Sequence, residues 1–473
     1  MSKKYTEEEI RVIAQSSLGK TFGELAKIST DSVSLGDDKK NDDDFNKAYF
    51  GHLIETDLFD YDINSNSAPD FEDAGIELKV TPYKKLNDGR LSAKERLVLN
   101  IINYMDEYKR SFYNSHFWYK NNKIQIMWYL YEKDKKKEDL RITHELLYTF
   151  PEDDLKIIKK DWEFIINKIK SGKAHELSEA DTMYLGACTK GANRNSLREQ
   201  PFSSIKAMQR AFCLKTSYMT QLVRKYIGNY SDVEKVLKNS NLEFEDYFES
   251  VCNKYIGKTD IELADIFGME ITGRRKDLHS GIVNAMFNVK GRLRNTDEFL
   301  KANIIPKTIR VEEDGNIKES ISFPTFKFKE IIKEEWDNSE LKEELETTKY
   351  MFFIFKKENN NYIFKGFKIW NMPQTTIDTV IKDFWNKTVN IIRNGVEFNI
   401  EGNTVYNNLP GMSDNGIMHV RPHSPESAYK LNNGFSRGNI NSYADELPNG
   451  EWMTKQCFWF NNKFVMDVVK DMV

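Results

Sequence analysis

PDFEDAGIELKVT, residues 69–81, holds the reading that decides the fold. Ile76, Leu78 and Val80 alternate with Glu77 and Lys79, so one face is apolar and the acid and lysine share the other. Pro82 is expected to end this strand. Asp70 lies seven residues before Glu77, near enough to return beside it across a turn or a neighbouring strand. Two carboxylates and a strand carbonyl make a hard oxygen site that suits Mg2+. A lysine beside them orients or deprotonates a water and steadies charge on a phosphate, which fits phosphodiester hydrolysis. The spacing alone is weak, because a chain this rich in Asp, Glu and Lys produces such a match by accident. A half-exposed strand with a surface Glu–Lys pair is the plain alternative.

The flanking sequence adds context. KERLVLNIINYMDEYK (94–109) reads as an amphipathic helix, and IQIMWYLY (124–131) as a buried strand. Strand, helix and strand after an acidic cluster fit a mixed sheet with an active edge.

The chain also repeats itself. LGKTFGELA (18–26) and IGKTDIELA (256–264) share six of nine residues. Neither is a nucleotide-binding loop: position 14, where the first copy would need a glycine, is alanine, and no nucleotide cofactor is expected. GHLIE (51–55) is followed 230 residues later by GIVNA (281–285), both in helical-looking stretches. PDFEDAGIELKVT is followed at an offset of 228 by DEFLKANIIPKTI (297–309). Three landmarks in one order, with offsets drifting one way, describe a duplicated domain. The differences are functional. Glu55 faces Ala285, Asp70 faces Glu298, Glu77 faces Ile305, and Lys79 is kept as Lys307 beside Pro306. One copy is equipped for chemistry and the other for binding. The join is placed at 231–250, a polar, acidic linker between domains at 1–230 and 251–473.

With 473 residues, 40% hydrophobic and 30% charged, the chain has room for two cores. No run of about 18 apolar residues and no signal segment is visible, so a cytoplasmic protein is expected. Cys188, Cys213, Cys252 and Cys457 form no C-x-x-C pair and read as buried free thiols. The net charge of −4 hides local contrast. DDKKNDDD (37–44) reads as a solvated loop, whereas Lys190–Lys225 is basic, with Glu199 its only acid.

GHLIE, PD-x6-ELK, SHFWYK before an apolar strand, and TKGAN with AFCLKTSY together resemble the MutH family of PD-(D/E)xK endonucleases, on the side of its GATC-cutting type II restriction enzymes. KERLVLNIINY, GKAHELSE, CTKGAN and EWMTKQ carry that closer likeness. The resemblance implies an α/β (mixed α+β) chain of two tandem MutH-like domains, each a central mixed sheet flanked by helices. It implies Mg2+-dependent double-strand cleavage before the G of GATC. Asp70, Glu77 and Glu55 would hold the metal, Lys79 would act on the attacking water, and Lys120 would stand near the scissile phosphate, with Lys123 the fallback. His116 is expected to be a packed or capping histidine. Lys190, Gly191, Arg210, Lys215, Ser217 and Tyr218 would face DNA, with Arg194, Arg198, Lys206 and Arg224 as positioning contacts.

In the second copy, RPHS (421–424) takes the place of TKGAN, bringing in Arg421 and His423, and WMTKQCF (452–458) lines up with FCLKTSY (212–218), pairing Lys455 with Lys215. One competent site per chain on a palindromic sequence implies two chains on the DNA for a double-strand break. A strand-nicking repair enzyme and a non-catalytic DNA-binding regulator are the alternatives.

Overall fold

The computed structural model describes residues 4–26, 47–61, 68–191, 196–231, 233–238, 240, 242–270, 277–317 and 320–473. The acidic run 37–44 and Arg194 lie outside the described residues. The chain divides into two compact units, residues 1–233 with 300–303, and 234–299 with 304–473.

Unit 1 opens with helices α1 (Glu7–Ser16), α2 (Phe22–Ala26) and α3 (Lys47–Leu53). Its first sheet contains β1 (Glu77–Lys85), β2 (Leu91–Ala93), β4 (Lys123–Leu130) and β5 (Ile142–Thr149), in the order β2-β1-β4-β5. Strands β1 and β4 are parallel, with Glu77 opposite Ile124 and Lys79 opposite Ile126. The second sheet has β9 (Arg210–Leu214) between β3 (Leu97–Ile101) and β6 (Leu185–Thr189). β7 (Leu197–Gln200) and β8 (Ser203–Met208) form a separate hairpin. Helix α4 (His116–Asn121) leads into β4, α5 (Glu152–Lys170) follows β5, and α6 (Thr216–Tyr226) follows β9. Ile76, Leu78, Phe22, Phe50 and Tyr129 belong to the core that backs the first sheet.

Unit 2 repeats this plan. Helices α7 (Phe244–Cys252), α8 (Asp260–Ile266), α9 (Leu278–Met286) and α10 (Asp297–Ala302), the last with its residues 300–302 grouped in unit 1, precede its first sheet. That sheet is β10 (Ile304–Val311), β12 (Lys349–Glu358) and β13 (Asn361–Trp370), with β10 and β12 again parallel. β11 (Ile321–Thr325) is followed by α11 (Phe328–Ile331) and by α12 (Glu340–Thr347), which leads into β12 as α4 leads into β4. A hairpin of β14 (Phe398–Glu401) and β15 (Thr404–Asn407) precedes β16 (Met418–Pro422). Four short strands follow, β17 (Tyr429–Lys430), β18 (Ser436–Arg437), β19 (Ala444–Glu446) and β20 (Trp452–Thr454). β21 (Gln456–Phe460) closes a sheet ordered β11-β21-β16, the counterpart of β3-β9-β6.

The shared letters of LGKTFGELA and IGKTDIELA now have a physical reason. Gly19 and Gly257 both take positive φ, 81° and 86°, which costs a glycine little. Thr259 and Glu262 form a capping box on α8; the Thr21 amide likewise donates to Glu24, whose amide donates to the Thr21 hydroxyl. Leu25 and Leu263 are fully buried. The repeat is helix punctuation, conserved between the two halves because the backbone requires it.

Three expectations are corrected. Residues 94–109 are not a helix: 97–101 form β3, antiparallel to β9, and only Glu107–Lys109 make a 3-10 turn. Pairing with β9 gives Leu97 and Leu99 a buried face that a helix would have to find elsewhere. Pro82 does not end β1, which runs on to Lys85. Its missing N–H falls one residue before pairing with β2 begins at Tyr83, so no hydrogen bond to β2 is lost. The stretch 231–250 is not simply a linker, since α7 starts at Phe244 and packs Phe244 and Phe248 on Phe299.

Candidate active site

Strand β1 presents Glu77 and Lys79 from one face, as the alternation requires. Glu77 is 1% exposed, and the Lys79 ammonium donates to its Oε1 at 2.5 Å. Asp70 returns beside them: its amide donates to Glu77 Oε2 at 3.2 Å, and its own Oδ2 accepts the Leu78 amide at 2.9 Å. That second bond fixes the Asp70 carboxylate against the start of β1. Gly75, at φ 64°, makes the turn between them.

Helix α4 delivers Lys120. Ser115 caps the helix by accepting from the Trp118 amide, and five residues later the Lys120 ammonium stands 3.5 Å from Glu77 Oε2. Glu55 arrives on a π-helical turn, Ile54–Leu58, that continues α3. Such turns are rare and widen the local backbone, which is consistent with a side chain aimed for a purpose. The fallback Lys123 is elsewhere, 2.6 Å from Glu7. His116 is packed rather than free, its Nδ1 2.9 Å from Oε2 of the buried Glu107.

The electrostatics of this cluster are set by burial and by like charges held close together. Burial first, then the charge of Asp70, push the Glu55 carboxyl up to about 7. Burial also raises Glu77, with Lys79 opposing it. Burial by itself would lower Lys79, but Glu77 and Asp70 outweigh it and hold its ammonium protonated above the usual range. Three carboxylates therefore repel one another across a half-dry pocket, which a divalent cation would relieve; their oxygens fit a hard ion. Among the described residues no three His, Cys, Asp or Glu side chains stand close enough together to hold a metal ion as they are. In this geometry the Lys79 ammonium already lies against Glu77.

The expected DNA-facing set divides. Lys190 and Gly191 are exposed at the end of β6. Arg198 and Lys206 are exposed on the β7–β8 hairpin. Arg210, Lys215, Ser217 and Tyr218 are instead bonded within the fold. Arg210 is 4% exposed and donates to the Ala187 carbonyl; Lys215 is 1% exposed and donates to the Thr182 carbonyl. The Ser217 hydroxyl donates to the Lys301 carbonyl within unit 1. Tyr218 is fully buried, with its hydroxyl on Tyr148 and Asp154. A cation on a strand that ends in the core spends its charge on carbonyls. Arg224, half-buried, donates to the Leu91 carbonyl.

In unit 2, Arg421 and His423 are exposed and pack on Trp459. The Lys190 amide donates to the Gln209 carbonyl, and the His423 amide donates to the Lys455 carbonyl. His423 is thus the counterpart of Lys190, and Lys455 that of Gln209; the expected pairing of Lys455 with Lys215 is out of register. The counterpart of Lys215 is Asn461, which precedes the helix Asn462–Val469 as Lys215 precedes α6. The sequence reading also passed over Phe202, 72% exposed at the tip of the basic hairpin with φ 61°. The signal was there in REQPFSSIK, where Pro201 marks a turn between two strand-like runs.

Among the described residues no helix is long and apolar enough to cross a membrane. All four cysteines are buried and free. Residues 59–161, which carry Asp70, Glu77, Lys79 and Lys120, match the family described as DNA mismatch repair enzyme MutH. Over 512 aligned residues spanning all of both chains, this chain is 36% identical to the type II restriction enzyme Sau3AI of Staphylococcus aureus. It is 26% identical to the DNA mismatch repair protein MutH of Vibrio campbellii, over 47% of this chain and 96% of that one. The MutH of Shigella flexneri gives 26% over 48% and 95%. A single MutH therefore accounts for about half of this chain, whereas the restriction enzyme accounts for all of it. The chain belongs to the MutH-related family of type II restriction endonucleases typified by Sau3AI, and is a site-specific deoxyribonuclease.

Proposed function

We propose that this restriction endonuclease makes Mg2+-dependent double-strand cuts before the G of GATC, with unit 1 cutting and unit 2 binding a second GATC as an effector. The observation that carries the division is the gathering of Glu55, Asp70, Glu77, Lys79 and Lys120 in unit 1, set against Ala285 and Ile305 at matching places in unit 2. The GATC site follows from the family resemblance. When bound, Mg2+ would offset the three carboxylates and lower the pKa of a coordinated water. Asp70 is held by the Leu78 amide, so its position does not depend on substrate. Lys79 remains protonated in this setting, which makes it a donor that orients the attacking water and steadies a non-bridging phosphate oxygen. Lys120 approaches Glu77 from the helix side, and its ammonium, 3.5 Å from Glu77 Oε2, would neutralise charge on the scissile phosphate. The exposed Lys190, Arg198 and Lys206 supply phosphate contacts whose strength falls with salt.

One site per chain nicks one strand, so a double-strand break takes two chains related by the two-fold axis of the palindrome. The test is digestion of two plasmids in Mg2+, one with a single GATC and one with several, followed by sequencing of the ends. Fast cutting of the multi-site plasmid, slow cutting of the other and four-base GATC overhangs are expected. Equal rates would remove the effector role. Nicks without breaks would point to a repair-type enzyme, and cutting at another sequence would remove the GATC assignment.

A further inference from the structure

The second unit does more than lose its acids. Pro306 stands where Leu78 stands in unit 1 and has no amide hydrogen, so the bond that fixes Asp70 has no equivalent. Glu298, the counterpart of Asp70, turns instead to the amides of Val236 and Leu237 at 2.9 and 3.1 Å and is 3% exposed. Asn303 keeps the left-handed turn of Gly75, at φ 52°, so the backbone entry to the strand is retained. The register is retained too: Lys307 lies opposite Phe352 on the parallel pair as Lys79 lies opposite Ile126.

What remains is cationic. Lys307 is half-buried, and the turn Leu293–Asn295, which carries Arg294, packs on β10 beside it. Among the described residues neither cation makes a hydrogen bond or an ion pair. Counted from the capping serines Ser115 and Ser339, Glu344 occupies the place of Lys120, and its carboxylate is hydrogen-bonded to Thr348. Burial and the Arg294 charge both depress the Lys307 ammonium, so the pair is held together at a cost. With every group ionised, Glu55, Asp70 and Glu77 against Lys79 and Lys120 leave one net negative charge at the site of unit 1. Lys307 and Arg294 against Glu344 leave one net positive charge in unit 2. The first arrangement calls for a cation, the second for an anion.

We propose that the stripped site of unit 2 holds a phosphodiester of bound duplex DNA directly on Lys307 and Arg294, with no metal ion. This rests on the reading of unit 2 as a DNA binder and names how its former active site takes part. DNA would then engage unit 2 in the absence of divalent metal.

The test uses the full chain carrying Glu77→Ala, with a short GATC duplex as probe, measuring affinity and stoichiometry in EDTA and in Ca2+. One duplex per chain is expected in EDTA and two in Ca2+. Lys307→Met should weaken EDTA binding about tenfold and flatten the salt dependence by about one phosphate contact. Lys307→Arg should keep the binding. Lys307→Met should also raise the melting temperature, because it removes a half-buried, unpaired charge. Unchanged EDTA binding in Lys307→Met overturns the proposal. A lowered melting temperature, with binding lost in Lys307→Arg as well, overturns it in favour of a structural lysine. If the parent binds nothing in EDTA, the metal-free site falls, while two duplexes per chain in Ca2+ would leave the second-site reading standing.

Discussion

Replacing Glu55 by Gln tests the electrostatic account of the active site without any substrate. The Glu55 carboxyl is raised from 4.5 to about 7 by burial and by Asp70. The folded state therefore binds this proton more tightly than the unfolded state. Stability falls as pH rises from about 4.5 to about 7, and the cost is fully present above that. The full displacement corresponds to about 3.4 kcal/mol; solvent around a half-buried group reduces this to about 1–2 kcal/mol. Glu55→Gln keeps the shape and removes the charge. In EDTA at pH 8.5 the variant should be the more stable by that amount in urea denaturation, and the difference should vanish near pH 4.5. Saturating Ca2+ should reverse its sign, because the ionised carboxylate then has a cation to hold. A variant less stable than the parent at pH 8.5 in EDTA, or a difference independent of pH, would refute the claim that these carboxylates are held together against their own repulsion.

Two further outcomes separate catalytic from structural lysines. Lys120→Gln should lower kcat by about 10²-fold with duplex affinity in Ca2+ little changed, since a donor near the scissile phosphate acts on the transition state; a tenfold loss of affinity with kcat intact would make it a DNA-anchoring residue instead. Lys215→Met should cost about 3 kcal/mol of stability, as it leaves the Thr182 carbonyl without its donor and takes a nearby cation from the buried Asp161, which keeps the Met183, Tyr184 and Leu185 amides, while the salt dependence of DNA binding per folded molecule stays put. A flatter salt dependence in that variant would return Lys215 to the DNA-facing set.

The parts of this molecule that were legible in sequence are those whose cause is local. A strand with one apolar face shows in two-residue alternation, and Glu77 and Lys79 needed nothing else to be placed together. The expected strand at 124–131 falls on β4, Lys123–Leu130, because its apolar run is too short for a packed helix and rich in strand formers. The repeat was visible because capping boxes and positive-φ glycines are demanded residue by residue. Residues 94–109 defeat the same reading because their partner, β9, lies more than a hundred residues away, and apolar spacing there satisfies either period. The inward turn of Arg210 and Lys215 has a similar origin. A count of basic residues along the chain carries no information about which side of a strand faces the core.

The slip that set Lys455 against Lys215 shows where duplication hides its own evidence. Between β6 and β9 the chain spends residues 190–209, and between β16 and β21 it spends 423–455. The longer arm of unit 2 contains a small sheet of its own, so motif letters past it no longer keep the offset of the strands that frame it. Backbone bonds keep it: Lys190 to Gln209 and His423 to Lys455 are the same closure at the base of two different arms. The frame is preserved because it builds the sheet. The arms are free to diverge because they do not, and β10 carries Ile305 where β1 carries Glu77 while Lys307 keeps the register of Lys79. At matching stations the side chains differ: Pro306, in the place of Leu78, has no amide to offer an acid, and Glu298 accepts the Val236 and Leu237 amides instead, while Lys307 keeps its place on the strand.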